Sequence, residues 1–489
     1  MRVQVGPRIL LVSAVVLALS LMLAVLLSSS LVRGAVLPPA PAGRATVEGI
    51  VLPRSTAAYN GVMTPATRLY APWLVGGTSV LRVLNPGDQA VTVRAILNPE
   101  GDTLLDIPAG AVGEIQVTMV PTGTRASAIL TASQPIAAVA NDFGKDGAQA
   151  VSYMAMPAAL GQPVLALPYV LHRASGGWQS EIVIQNVGDA ATAVHIVYTQ
   201  TNKLATRNWD DDSIVALAPG GVVNVSPEGA GLPENFEGIA LIQAVQPLVA
   251  VVHNAAVGRV PAYIYRVPMP GALQESDSSR FFPLLVNEFE DWRNSEIQVM
   301  NAGPVRASFD IRVGEMITAR SIDPWWAQNY PQTQIPNQDV LLGPLGEAVP
   351  GRVSVAPSLH GLVWLNGTGN IVGDSFAAYS APGVAAKIWY LPFADQQATL
   401  ITYVAVQNPG DIASEIRLTQ HSLTGTVGAF SVTVAPQDLL LLSRGSGLPL
   451  QFNGGLDIEA TQPVVAVAAL AGLLELDQEI YMPLIKGDD

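Results

Sequence analysis

Apolar and polar residues alternate in short runs along most of the chain, and turn-forming residues end the runs. The clearest run is Ser180-Glu-Ile-Val-Ile-Gln-Asn-Val-Gly188, and versions of it occur three more times. These are Ser79-Val-Leu-Arg-Val-Leu-Asn-Pro-Gly87, Ser295-Glu-Ile-Gln-Val-Met-Asn-Ala-Gly303 and Thr402-Tyr-Val-Ala-Val-Gln-Asn-Pro-Gly410. Alternation with period two predicts a half-buried strand, and Asn-x-Gly predicts the turn that ends it. Glycine suits that place because it accepts positive φ without a steric penalty. Asn85, Asn186, Asn301 and Asn408 are separated by 101, 115 and 107 residues, the spacing of small domains rather than of a solenoid. Eight residues past each Asn stand Val93, Val194, Phe309 and Ile416, and ten past stand Ala95, Ile196, Ile311 and Leu418. Arg94, His195, Asp310 and Arg417 lie between them, so a one-residue slip would expose the apolar set in every copy.

Four modules follow, at residues 69–158, 165–270, 281–382 and 388–486, with a polar linker at 271–280. Each opens on an apolar-Pro-x step, at Pro72, Pro168, Pro283 and Pro392. Three carry a Gln-Pro pair ahead of an apolar run: Gln134-Pro-Ile-Ala-Ala-Val-Ala140, Gln246-Pro-Leu-Val-Ala-Val-Val252 and Gln462-Pro-Val-Val-Ala-Val-Ala468. In the third module Gly369-Asn-Ile-Val-Gly373 is expected to replace it. Closing strands are expected at Tyr153-Met-Ala-Met156, Ala262-Tyr-Ile-Tyr265 and Glu479-Ile-Tyr-Met482. About seven short strands per module, with turn signals every 8–12 residues, predict an all-β chain of four tandem Ig-like β-sandwiches.

The segments Leu167-Pro-Tyr169, Trp178-Gln-Ser-Glu-Ile-Val-Ile-Gln-Asn-Val-Gly188, Ala218-Pro-Gly220, Leu232-Pro233 and Gln246-Pro-Leu-Val-Ala-Val-Val252 resemble tandem extracellular Ig-like β-sandwich repeats of bacterial cell-surface or secreted proteins. The resemblance covers most of residues 69–485 and is weakest in the third module. It implies exposure on a cell surface and supplies no catalytic residues.

Ahead of the modules, Arg2 and Arg8 precede an apolar run at 9–27, broken only by Ser13 and Ser20. At 1.5 Å per residue such a helix is roughly 28 Å long, close to the bilayer's hydrocarbon thickness. Residues 1–31 therefore predict a signal peptide or an uncleaved signal anchor. Ser28-Ser29-Ser30 offers a cleavage site, whereas the run is longer than the usual signal-peptide core. Residues 32–68, rich in Pro, Ala and Gly, are expected to form an extended spacer.

Composition narrows the chemistry. A net charge of −14 argues against nucleic acid as a partner. The absence of Cys excludes disulfides, thiolate metal sites and a Cys nucleophile. His172, His195, His253, His360 and His421 show no metal-ligand spacing, and His195 falls on the outer face of its strand. Gly373-Asp-Ser375 matches a hydrolase nucleophile block but has no His partner downstream. Asp210-Asp-Asp212 offers too few oxygens for Ca²⁺ on its own and is expected to be a solvated loop. No cofactor or metal is expected. Asn224-Val-Ser226 and Asn366-Gly-Thr368 fit the glycosylation pattern.

The candidate binding surface is Trp325, Trp326 and Tyr330 in the third module's insertion, with Glu288, Glu290, Asp291 and Trp292 nearby. Exposed aromatics stack on sugars or anchor a protein partner, while Trp292 aligns with Trp178 and belongs to the core. Three functions are expected in order. The first is a non-enzymatic, exported envelope protein displaying its modules, as a string with reach, for adhesion or structural contact. The second is a glycan-binding protein using the aromatic insertion, and the third a hydrolase with an inter-module site. A membrane partner is expected if the N-terminal helix is retained.

Overall fold

A computed structural model describes residues 52–474, apart from 100, 145–149, 175–176, 202–207, 257–261, 268–278, 290–291, 332–346, 355–357, 368–375, 397–399 and 445–446. The expected N-terminal helix, the Gly373 block and the strand at 479–482 lie outside the described residues. Those residues are all-β; their one helical turn is the 3-10 element Ala158–Leu160.

The strands fall into four hydrogen-bonded sets, three of which are built around one long strand that takes part in two ladders. In the first set Arg125–Asp142 pairs through its first half with Ala66–Val75 and Val91–Asn98. Its second half pairs with Ser79–Asn85 and Val151–Met154. Phe236–Ala256 and Asn453–Leu474 play the same part in the second and fourth sets. The Gln-Pro pairs sit where these strands pass from one sheet to the other. Proline suits that point because it has no N–H to leave unpaired between two ladders.

In the third repeat the long strand is divided into Glu347–Ser354 and Leu359–Gly367. Asn301 pairs with Leu359 as Asn186 pairs with Leu248, which places Ser358 at the position that Pro247 holds in the second repeat. The expected substitute at 369–373 is therefore corrected by register.

Each strand-turn Asn is fully buried and ties three segments together. Asn186 Nδ2 donates to Ala190 O at 2.8 Å and Leu217 O at 2.9 Å, and its Oδ1 accepts from Gly188 N at 2.9 Å. Asn85, Asn301 and Asn408 repeat the pattern. Positive φ is not the reason for glycine two places on, since Gly87, Gly188, Gly303 and Gly410 lack it. Space is the reason at Gly188 and Gly303. A Cβ on Gly188 would stand 2.4 Å from Gln246 Oε1 and 3.0 Å from Pro247 Cδ, and one on Gly303 2.7 Å from Ser358 Cβ. The turn closes against the bend of the long strand.

The apolar runs after the bends are buried on both faces. In the fourth repeat Ala466, Ala468 and Leu470 enter its own core, while Val467, Ala469 and Ala471 enter the core of the third. Val249 and Val251 likewise pack into the first repeat's core, Ala137 and Val139 into the fourth's, and Leu362 into the second's. The four cores thus interlock cyclically, one to two, two to three, three to four and four to one. Separate modules without shared interfaces would leave these faces in water.

The ring is closed by Leu52–Asn60, within the stretch expected to be spacer. It pairs antiparallel with the last long strand, from Leu52 opposite Leu474 to Asn60 opposite Val467. It thereby occupies in the fourth set the place that Val151–Met154, Ala262–Arg266 and Phe376–Ser380 hold in the others. These four strands lie side by side around the axis of the ring. Each contributes a buried tyrosine at an equivalent position, Tyr59, Tyr153, Tyr265 or Tyr379, whose hydroxyl donates to the backbone oxygen of the residue after the opening proline. The acceptors are Phe393, Trp73, Tyr169 and Leu284. Burial holds all four phenols above their ordinary range, so they stay neutral donors.

Candidate functional site

The aromatic insertion is divided by the fold. Its strand Trp326–Pro331 pairs along Trp292–Asn301, so alternate residues face opposite ways. Tyr330 is fully buried in the third core and Trp326 packs half-buried against it. Trp325 precedes the strand, is 38 % exposed, and has φ 55°. For a bulky side chain that backbone is an outlier of the kind found at ligand-contacting positions. Trp325 lines a cavity of about 280 Å³ at the junction of repeats two and three. Ile239, Leu241 and Met300 supply its apolar wall, and Thr199 and Asn208 its polar rim. Trp292 is fully buried, as expected of a core residue. Of the acidic residues named beside it, Glu290 and Asp291 lie outside the described residues.

A second polar constellation, which the sequence did not point to, lies at the junction of repeats one and two. Glu181 receives Arg125 Nε at 3.0 Å and Trp73 Nε1 at 3.2 Å, with His253 Nδ1 3.7 Å away. The His253 ring stacks on Trp73 at 4.7 Å, and the Arg125 guanidinium lies 4.8 Å from the Trp73 ring centre. Burial alone would raise the Glu181 carboxyl, but hydrogen bonding to His253 and the nearby cationic charge outweigh it and hold the group at about 2. Such a carboxylate is a fixed anion joining two repeats and no proton donor near neutrality. It borders an open cavity of about 510 Å³ with Gln179, Asn224 and Ser226 on its wall.

The remaining candidates are dispersed. Asp210, Asp211 and Asp212 belong to the strand Asn208–Leu217 rather than to a loop, because it pairs with Thr192–Gln200. His195 sits on that outer face, hydrogen-bonded to Asp212 and 3.6 Å from Asp210. His172 bonds Leu232 O at 2.7 Å, and His421 lies between Gly110 O at 2.8 Å and Asp457 at 3.0 Å. Among the described residues no group of three or more His, Asp or Glu is placed to hold a metal, and no helix is long and apolar enough to cross a membrane.

No family model matches the chain, and no curated protein matches it. Among solved structures, Thermotoga maritima 1070 is 13 % identical, over 19 % of this chain and 95 % of that one, with a TM-score of 0.16. A tetra-tandem repeat from the extending region of a large adhesion protein is 10 % identical, over 86 % and 99 %, at 0.13. A Ca²⁺-stabilized adhesin of an ice-binding Antarctic bacterium is 10 % identical, over 78 % and 91 %, at 0.11. At such scores these likenesses carry no argument about function.

Proposed function

We propose that the chain is an exported, non-enzymatic envelope protein whose four Ig-like β-sandwich repeats close into a ring and act by surface contact or adhesion. The fate of the repeated side chains carries this reading. The turn asparagines and the axial tyrosines are all bonded inside the fold, and Glu181 is held ionised between two repeats. What remains free to act is a set of loops and junction cavities on a rigid frame. In this reading residues 1–31 export the chain and hold it at the membrane if uncleaved. A membrane-impermeant amine reagent on intact cells, read at Lys387, tests display; labelling that occurs only after lysis would overturn it. N-terminal sequencing of the mature chain decides between anchor and cleaved signal.

The second reading, glycan binding, rests on the strained, exposed Trp325 above an apolar cavity with a polar rim. A glycan array probed with wild type and Trp325→Ala tests it. Binding that survives the substitution unchanged removes Trp325 from any such site.

A further inference from the structure

We infer that the cavity beside the ring axis, where Arg266 and Arg280 meet, is a binding site for a small organic carboxylate with an apolar body. The cavity holds about 340 Å³ and is walled by Val62, Val384 and Trp389 with Asn60 and the two arginines. That volume suits a ligand of roughly a dozen heavy atoms. No carboxylate lines it among the described residues, in a chain of net charge −14.

The arginines stand where the frame does not need them. Arg280 pairs with Val353, as Leu69 pairs with Leu130, Leu165 with Ile242 and Trp389 with Ile458. Three repeats thus use a buried apolar residue at this position, and the third uses an arginine that is 4 % exposed. Its Nε donates to Leu359 O at 2.8 Å, while Nη2 is buried with no partner. Arg266 ends its axial strand at the position held by Asn60, Met154 and Ser380 in the other repeats. Burial pulls both guanidiniums below their usual range, and no carboxylate offsets it. By contrast, Arg82 and Arg125 are paired with Glu114 at 2.9 Å and Glu181 at 2.8 Å. Removing a charge from water without a partner is costly, and a bound anion repairs that cost.

Asn60 refines the ligand. Its Nδ2 donates to Ser380 O at 2.7 Å, which leaves Oδ1 as a buried acceptor without a partner. A carboxylate carrying a hydroxyl or N–H next to it satisfies all three groups, and the apolar walls take the remainder of the molecule.

The test is calorimetric titration of the purified full chain with 3-phenyllactate and its neutral counterpart 3-phenylpropanol. Saturable binding of the acid alone is expected, weakened about ten- to hundredfold by Arg280→Met or Arg266→Met. Because these changes alter a buried site, Val384→Trp at the exposed rim provides a second variant that fills the cavity and spares both arginines. It is expected to abolish binding with the fold intact by circular dichroism. Equal binding of the alcohol, no binding of the acid, or affinity untouched by Val384→Trp would each overturn the inference. The linker at 271–280 carries Glu275 and Asp277, so E275Q/D277N is titrated as well. Binding that emerges only in that variant would show the chain's own carboxylates filling the site, and would overturn an external ligand.

Discussion

Tyr59→Phe tests ring closure, because residue 59 belongs to the fourth repeat only if Leu52–Asn60 pairs with Asn453–Leu474. The phenol donates to Phe393 O and accepts from Phe393 N at 3.2 Å, across 334 residues of sequence. Removing the hydroxyl leaves a buried C=O and a buried N–H unpaired. Each such group costs about 1–3 kcal/mol, so the variant loses about 2–6 kcal/mol. Tyr59→Ala adds about 3–5 kcal/mol for the lost ring. The assay is amide hydrogen exchange of residues 467–474, which face Leu52–Asn60 across the ladder. With tenfold per 1.4 kcal/mol, Tyr59→Phe is expected to lower their protection by between roughly thirty-fold and about twenty-thousand-fold. Tyr153→Phe and Tyr379→Phe remove the same paired bonds in repeats one and three, and loosen those repeats comparably. Protection at 467–474 within twofold of wild type in Tyr59→Phe would refute closure by this strand.

Asn186→Ala unpairs Leu217 O, Ala190 O and Gly188 N, and about 2–5 kcal/mol should be lost by chemical denaturation. Gly188→Ala should destabilise by at least about 1–3 kcal/mol, since its methyl meets Gln246 and Pro247 and the bend must shift. Glu181 has a folded pKa of about 2 against an ordinary value of 4.5, so its contribution is complete above pH 4.5 and lost as pH falls through 2. The size is on the order of 3 kcal/mol, and Glu181→Gln should flatten the stability curve across that acid window. Trp325→Gly relieves the positive φ and should leave stability unchanged or raise it by about 1 kcal/mol, judged by melting temperature.

Much of the fold was legible because half-buried strands advertise themselves by alternation. Ser79–Asn85 and Val91–Asn98 show it plainly. The closed ring was harder to read because its signal is the loss of alternation. Gln134-Pro-Ile-Ala-Ala-Val-Ala140 is apolar at successive positions since one face meets its own core and the other its neighbour's. Leu52–Asn60 was hidden by its proline-rich surroundings, although Ala57-Ala-Tyr-Asn60 matches Ala377-Ala-Tyr-Ser380 in register. A ladder partner more than 400 residues away gives no local trace. Of the aromatic candidates, only the pairing register separates exposed Trp325 from buried Tyr330.

Four copies within one chain also act as an internal control on function. Wherever register-equivalent positions carry the same group, as with the axial tyrosines, the frame itself accounts for it. Trp73, Tyr169, Leu284 and Phe393 differ in side chain yet offer the same backbone acceptor, so their variety costs the frame nothing. Arg280 is different in kind. Leu69, Leu165 and Trp389 show that a buried apolar side chain satisfies the position, and Arg280 leaves Nη2 unpaired there. Arg280→Leu restores the apolar solution of two sister repeats and relieves an uncompensated charge, so a purely structural role predicts equal or greater stability. Arg280→Leu should therefore raise the melting temperature while removing carboxylate binding. A variant that loses stability without ligand present would mean that Arg280 serves the frame, and that the cavity is a by-product of its packing.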